Sequence, residues 1–316
     1  MEREIREQPG LIAKGAESYG DPLRAALKDR TFSMVLLVAR GSSDNAALYA
    51  RYLIETFLRI PVSLAAPSVL TRYGQHIRYQ NCLGIGISQS GAAPDVAEVL
   101  ESLRSDGHTT LALTNTPGSR LTQAAEHFLL LDAGQERSVA ATKTYTASLL
   151  ALYEVVRALG GDLPDPSLHL PGEDWLEIAL DAALQAQGPV LRSSPIFSLA
   201  RGFDYSTAQE TALKLMECAL ISCKAFSSAD FEHGPKALAG HGSCAICFDG
   251  EKPGLAAQGC EILLSPSLPD RARVREGVLE PIWQIFFGQW LALCAARARG
   301  LNPDDPRHIQ KVTLTL

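Results

Sequence analysis

Met34-Val35-Leu36-Leu37-Val38-Ala39 runs directly into Arg40-Gly41-Ser42-Ser43-Asp44-Asn45. An unbroken apolar run of strand length, then a glycine turn and a polar helix start, reads as a buried parallel strand feeding its crossover helix. The pattern recurs outward from this point. Strand-length apolar runs fall at 62–66, 83–87, 110–114 and 128–131, and helical patterns at 45–57, 95–105 and 142–159 separate most of them. Buried strands alternating with helices predict an α/β domain: a doubly wound parallel sheet flanked by helices, after a helical lead.

Gly160-Gly161-Asp162-Leu163-Pro164-Asp165-Pro166 breaks the pattern as a linker does, and a helix over 174–187 follows. The strand-helix pattern restarts at 196–200 as a repeat. Val38-Ala39-Arg40-Gly41 matches Leu199-Ala200-Arg201-Gly202, and Ala66-Pro67-Ser68 matches Phe226-Ser227-Ser228 at nearly the same offset. Two tandem copies of one domain are therefore expected. The second is shortened, since only 245–248 and 261–264 remain as clear further strands before an apolar helix at 279–298. The expected division is 1–160, a linker and helix over 161–187, a second domain over 188–300, and a proline-rich extended tail over 301–316.

A length of 316 residues fits two domains, and 46% apolar with 20% charged residues fits a folded, water-soluble chain. A net charge of −6 disfavours nucleic acid or an anionic membrane as main partner, while leaving room for a local anion site. The start, Met1-Glu2-Arg3-Glu4-Ile5, is charged and no apolar run is long enough to span a bilayer, so a cytoplasmic protein is expected. Seven cysteines in mostly apolar settings read as buried thiols. Cys244 and Cys247 have CxxC spacing within a strand-like run, where they point to opposite faces, and no second pair completes a zinc set. No metal and no cofactor are expected.

Two loops in the first copy carry small hydroxyl residues where strands end: Gly41-Ser42-Ser43 and Ser88-Gln89-Ser90-Gly91. With a helix after each, backbone N–H groups and hydroxyls converge where an anion is favoured, and the expected ligand is a phosphate. Helix capping is the other reading of the same residues. Gly84-Ile85-Gly86 is neither a dinucleotide fingerprint nor a P-loop. Further on, Glu210, Lys214 and Glu217 are spaced i, i+4, i+7 on one helical face, with Leu213, Met216 and Leu220 on another, and Phe231-Glu232-His233-Gly234-Pro235 follows. Carboxylate, lysine and imidazole are what metal-free proton transfer between carbon and oxygen needs. A solvated ion pair and a turn histidine is the alternative.

Taken in order, Gly41-Ser42-Ser43, Ile87-Ser88-Gln89-Ser90-Gly91, Val139-Ala140-Ala141-Thr142-Lys143, Glu210…Lys214…Glu217…His233-Gly234-Pro235 and Pro306-Arg307…Lys311 resemble the sugar isomerase (SIS) family. The chain is similar to the isomerase half of glucosamine-6-phosphate synthase. Arg40-Gly41-Ser42-Ser43-Asp44, Ala65-Ala66-Pro67-Ser68-Val69 and Ala225-Phe226-Ser227-Ser228-Ala229 resemble the stand-alone SIS-type amino-sugar-phosphate deaminases more closely.

The resemblance implies tandem SIS domains and a phosphosugar bound by Gly41, Ser42, Ser43, Ser88, Gln89, Ser90, Val139 and Glu210. It implies Glu217 as the base moving a proton between C1 and C2, and His233 as the ring opener contributed across a homodimer interface. Lys311 would meet the open-chain carbonyl or imine, and Lys214 would assist near the sugar hydroxyls. Two departures stand out. Ala92-Ala93 replaces the Glu-Thr that usually follows Ser-Gln-Ser-Gly, and Ala141 replaces a usual serine. No cysteine precedes Cys82, so glutamine is not expected to supply ammonia.

The expected reaction is glucosamine 6-phosphate plus water to fructose 6-phosphate plus ammonia. Galactosamine-6-phosphate deamination, deglycation of a glycated amine phosphate, and ammonia-dependent synthesis remain open beside it. A phosphosugar sensor without turnover is disfavoured by the presence of Glu217, His233 and Lys311 together.

Overall fold

The computed structural model describes residues 1–305 and 309–311, and these divide into two bodies. The first comprises Leu11–Glu136 and Lys143–Ser167, the second Met1–Gly10, Arg137–Thr142 and Leu168–Lys311. The opening helix α1 (Glu2–Ser18) is thus shared in sequence between them, and α2 (Gly20–Leu27) belongs to the first.

The first body is built on five parallel strands in the order β2-β1-β3-β4-β5: β1 (Met34–Val38), β2 (Val62–Leu64), β3 (Cys82–Ile87), β4 (Thr109–Thr114) and β5 (His127–Leu130). Its helices are α3 (Ser42–Leu53), extended by a π-turn over Ile54–Leu58, the short α4 (Ser68–Thr71), α5 (Pro94–Ser105), the short α6 (Arg120–Ala124) and α7 (Lys143–Ala158). Leu36, Val38, Val96, Leu100 and Ala112 form a core between the sheet and α5. The glycines of Gly84-Ile85-Gly86 are spaces for that helix: a Cβ on Gly84 would stand 2.5 Å from Leu103, and one on Gly86 would stand 2.6 Å from Leu100.

In the second body four parallel strands run in the order β7-β6-β8-β9: β6 (Ile196–Ala200), β7 (Cys223–Ser227), β8 (Cys244–Cys247) and β9 (Glu261–Leu264). One strand fewer than in the first sheet accounts for the shortened copy. Its helices are α8 (Glu173–Arg192), α9 (Tyr205–Ala219), the short α10 (Ser228–Glu232) and α11 (Pro253–Ala257), and α12 (Glu280–Ala298). Residues 281–296 of α12, apolar but for Gln284 and Gln289, are buried on every side, and α12 packs on α8 and α9. Where it crosses α9, Gly288 allows close approach: a Cβ there would lie 2.1 Å from Thr211 Oγ1. No described helix is long and apolar enough to cross a membrane. All seven cysteines are free and buried.

Strand β7 was not among the expected elements. Cys223-Lys224-Ala225-Phe226-Ser227 alternates, with Lys224 and part of the strand open to solvent, because β7 is an edge. It therefore lacks the unbroken apolar run by which central parallel strands are read.

Candidate active site

In the first body, Val38 pairs with Gly86, so the loops after β1 and β3 leave the same edge of the sheet from neighbouring strands. The strand order reverses between these two, with β2 to one side and β4 to the other. Such a switch point is where open α/β sheets bind ligands. Gly41 is the N-cap of α3 and Ala93 that of α5, and neither cap involves a side-chain hydrogen bond. Ser90 Oγ instead accepts from Ala92 N–H at 3.3 Å, just before α5. Ser88 is buried, and Ser42, Ser43, Gln89 and Ser90 are half-buried.

The second loop is held by its own backbone and by its neighbours. Ser88 N–H donates to Leu113 O at 3.1 Å, Gly91 N–H to Ser88 O at 3.1 Å, and Asn115 N–H to Gln89 O at 3.0 Å. Gly91 has φ +62°, and a Cβ there would meet Ser119 Oγ at 2.1 Å, so the turn takes glycine on both counts. Arg40 Nε donates to Asp95 Oδ2 at 2.8 Å, linking the first loop to the start of α5. Asp95 is 2% exposed and also accepts from Val96 N–H at 2.9 Å. Burial pushes the Asp44 carboxyl up, against the pull of Arg40. The Arg40–Asp95 tie was not among the expected site residues; nothing in the spacing of 40 and 95 pairs them.

In the second body, α9 buries charged residues together with Ala208, Ala212, Leu215 and Ala219. Glu210 and Lys214 are 0% exposed, while Met216 is 43% and Leu220 45% exposed. The charged face is the buried one, so the solvated-ion-pair reading fails. Lys214 Nζ lies 3.3 Å from Glu210 Oε1 and donates to Glu217 Oε2 at 2.5 Å. Burial alone would drive the lysine towards neutrality, but the two carboxylates prevail and raise its pKa above the usual range. Lys214 is held as an ammonium. Glu217, with its side chain 26% exposed, is the member of the set open to a substrate. Burial pushes the adjacent Cys218 thiol up to about 12, so it is not a thiolate near neutrality.

Lys311 Nζ donates to Ser138 O at 2.6 Å, which sets the tail lysine beside Val139. Ser138 N–H in turn donates to Glu4 Oε1 at 3.3 Å, with Arg137 N–H donating to the same oxygen at 2.5 Å. Glu4 and Ser138 are both buried, and neither was singled out in the sequence. His233 caps the end of α10 on the expected glycine-proline turn and is exposed. The second body thus gathers Glu210, Lys214 and Glu217 on one helix and Lys311 against the 138–139 segment, while His233 stands on a solvent-facing turn. The first body gathers Gly41, Ser42, Ser43, Ser88, Gln89 and Ser90. Pro306 and Arg307 of the tail motif lie outside the described residues. Among the described residues no group of three His, Cys, Asp or Glu side chains is placed to hold a metal ion.

A family model for the SIS domain matches residues 33–157. The fold is also that of a protein from Silicibacter pomeroyi DSS-3, provisionally assigned as a phosphosugar isomerase, with 30% identity and a TM-score of 0.80 over 96% of this chain and 98% of that one. The chain belongs to the SIS family. Its second sheet, outside the matched stretch, repeats the first as a shorter SIS-like unit. Among curated relatives, the glutamine–fructose-6-phosphate aminotransferase (isomerizing) of Methanothermobacter thermautotrophicus is 30% identical over 98% of this chain. The SIS chain spans 56% of that relative's length. The glucosamine-6-phosphate deaminase of Thermotoga maritima shares the fold, with a TM-score of 0.81 over 99% of both chains at 22% identity.

Proposed function

We propose that this SIS protein is an aldose-ketose isomerising deaminase, converting glucosamine 6-phosphate and water to fructose 6-phosphate and ammonia. The observation that carries the reading is the buried Glu210–Lys214–Glu217 set, in which a permanent ammonium grips a carboxylate that keeps one side open. Moving a proton between adjacent carbons needs one carboxylate within reach of both, and an adjacent cation steadies the enolate-like charge that develops.

In this reading Ser43, Ser88, Gln89 and Ser90 hold the phosphate, with Gly41 and Ser42 opening the helix behind it. His233 opens the sugar ring, contributed by the partner protomer of a homodimer. Glu217 removes the C2 proton and delivers it to C1, turning the 2-amino aldehyde into a 2-imine. Water adds to that imine and ammonia leaves, so the carbonyl ends at C2. Lys311 meets the open-chain carbonyl or imine, Lys214 and Glu210 face the sugar hydroxyls, and Val139 lines the sugar. The protein works in the cytoplasm, without metal or cofactor.

A second reading is favoured by the synthases among its relatives: the same proton transfer run towards amino-sugar formation from fructose 6-phosphate and ammonia. Both directions are tested by one assay. Ammonia release from glucosamine 6-phosphate is expected from the wild type, and Glu217→Gln is expected to lower kcat by about 10²–10⁴-fold. Amino-sugar formation under high ammonia that outpaces release under otherwise matched conditions would favour the second reading, and absence of both would overturn the two together.

A further inference from the structure

Just before α7, residues 137–142 form neither helix nor strand, yet Ser138, Ala140 and Thr142 are buried. Irregular backbone has no ladder of its own, so its buried N–H and C=O groups must find partners elsewhere. Partners come from α1, whose first residues lie in the same body as this segment and the tail. Glu4 and Gln8 stand i, i+4 on one face of that helix and are 2% and 0% exposed, at positions where packing alone would favour apolar side chains.

Glu4 grips the front of the segment. Two successive backbone N–H groups, of Arg137 and Ser138, donate to its Oε1 at 2.5 and 3.3 Å, so one oxygen fixes two peptide units. Its Oε2 lies 3.4 Å from the amino group of Met1. Gln8 reaches the far end through a relay. Its Nε2 donates to Gln289 Oε1 at 2.7 Å, and Gln289 Nε2, buried on α12, donates to Thr142 O at 3.2 Å. Between these two grips Ser138 O receives Lys311 Nζ at 2.6 Å, and Ser138 Oγ donates to Pro303 O at 3.5 Å near the base of the tail.

We propose, resting on the role given to Lys311 above, that Glu4 is a positioning residue: with the Gln8–Gln289 relay it fixes residues 137–142 so that Ser138 O holds Lys311, and Val139 is held beside it. Glu4 acts through the backbone it binds and not on the sugar. An apolar side chain at position 4 could fill the same space but would leave both N–H groups without their acceptor.

The test is amine acetylation of the full chain with a limiting N-hydroxysuccinimide ester, reading Lys311 against exposed Lys28 by mass spectrometry. Glu4→Ala should raise the relative labelling of Lys311 about threefold or more, the scale of one net hydrogen bond released. Glu4→Gln keeps an acceptor oxygen and should stay near wild type. Val190→Ala, a cavity in buried α8 of the same body, should lower stability without raising Lys311 labelling. In the ammonia-release assay Glu4→Ala should lower kcat about tenfold or more while KM changes less, and Glu4→Gln should recover most of it. Unchanged Lys311 labelling in Glu4→Ala, an equal rise in Val190→Ala, or raised labelling with wild-type kcat would each overturn the proposal. Should Glu4→Ala fail to fold, Gln8→Leu takes its place with the same expected rise and the same overturning results. Raised labelling beside a wild type that releases no ammonia would leave the hold on Lys311 standing and remove the deaminase reading.

Discussion

Lys214 is a cation in a place where burial would otherwise neutralise it, and its two carboxylates are what keep it charged. Lys214→Met takes a buried cation away from Glu210 and Glu217, so it should lower unfolding free energy by about 3–5 kcal/mol, read from urea denaturation. Adding Glu210→Gln should restore part of that loss, since one of those two carboxylates is then gone. The pH dependence has a definite sign. The folded lysine titrates above its unfolded value of about 10.4, so its stabilisation is fully present below that value and falls away as pH rises through the folded one. The stability gap between wild type and Lys214→Met should therefore stay level up to about pH 10 and narrow only above it. In the first body, Asp95→Ala frees Arg40 and removes a buried acceptor. A loss of about 1.5–3 kcal/mol in stability is expected, with weaker binding of a sugar phosphate and little change for an unphosphorylated sugar. The residue types of the candidate site were legible in the sequence, because hydroxyls at strand ends and a Glu-Lys-Glu spacing have recognisable chemistry. Glu4 and Ser138 were not legible. Their role comes from contacts between segments more than 130 residues apart in the chain, and a single sequence carries no sign of such meetings.

At the scale of elements, central strands and long helices followed from periodicity, with boundaries shifted by a residue or a few. Edge strand β7 did not, since half of it faces water and its pattern alternates. The repeat held the missing signal: Phe226-Ser227-Ser228 matches Ala66-Pro67-Ser68, which directly follows edge strand β2. On α9, Met216 and the capping Leu220 are exposed, while Glu210 and Lys214 are buried beside Ala212 and Leu215, a mixed inward side that spacing alone does not reveal. The position of α9 depends on its closeness to α12, which Gly288 permits. Gly288→Val should overpack that crossing and cost about 1–3 kcal/mol. Thermal denaturation should show the loss, and kcat should fall more than KM changes if Glu217, which the displaced helix carries, is the base proposed above.

For the whole molecule, the sequence announced two copies of one α/β unit, the second smaller, through a repeat of a few residues about 160 positions apart. It did not announce that 1–10 and 137–142 group with the second copy, because that membership is set by contacts and not by order along the chain. If His233 serves a partner's site, inactive Glu217→Gln and His233→Ala proteins should complement one another. Random re-assortment of a dimer gives half heterodimers with one intact site of two, hence about a quarter of wild-type activity. No recovery after verified subunit exchange would mean that Glu217 and His233 serve the substrate from one protomer.

The buried charges of α9 also set the direction in which this protein can drift. Under selection for robustness alone, exchanging the buried Glu210–Lys214 pair for well-fitting apolar residues is neutral or favourable, and polar residues at 216 and 220 would suit the solvent-facing side. A lineage or laboratory library released from its substrate should therefore turn α9 into an ordinary amphipathic helix within a few substitutions. If that set serves catalysis as proposed, the charged interior of the helix is a record of continuing use, and its erosion in a related gene would mark a copy that has lost the activity.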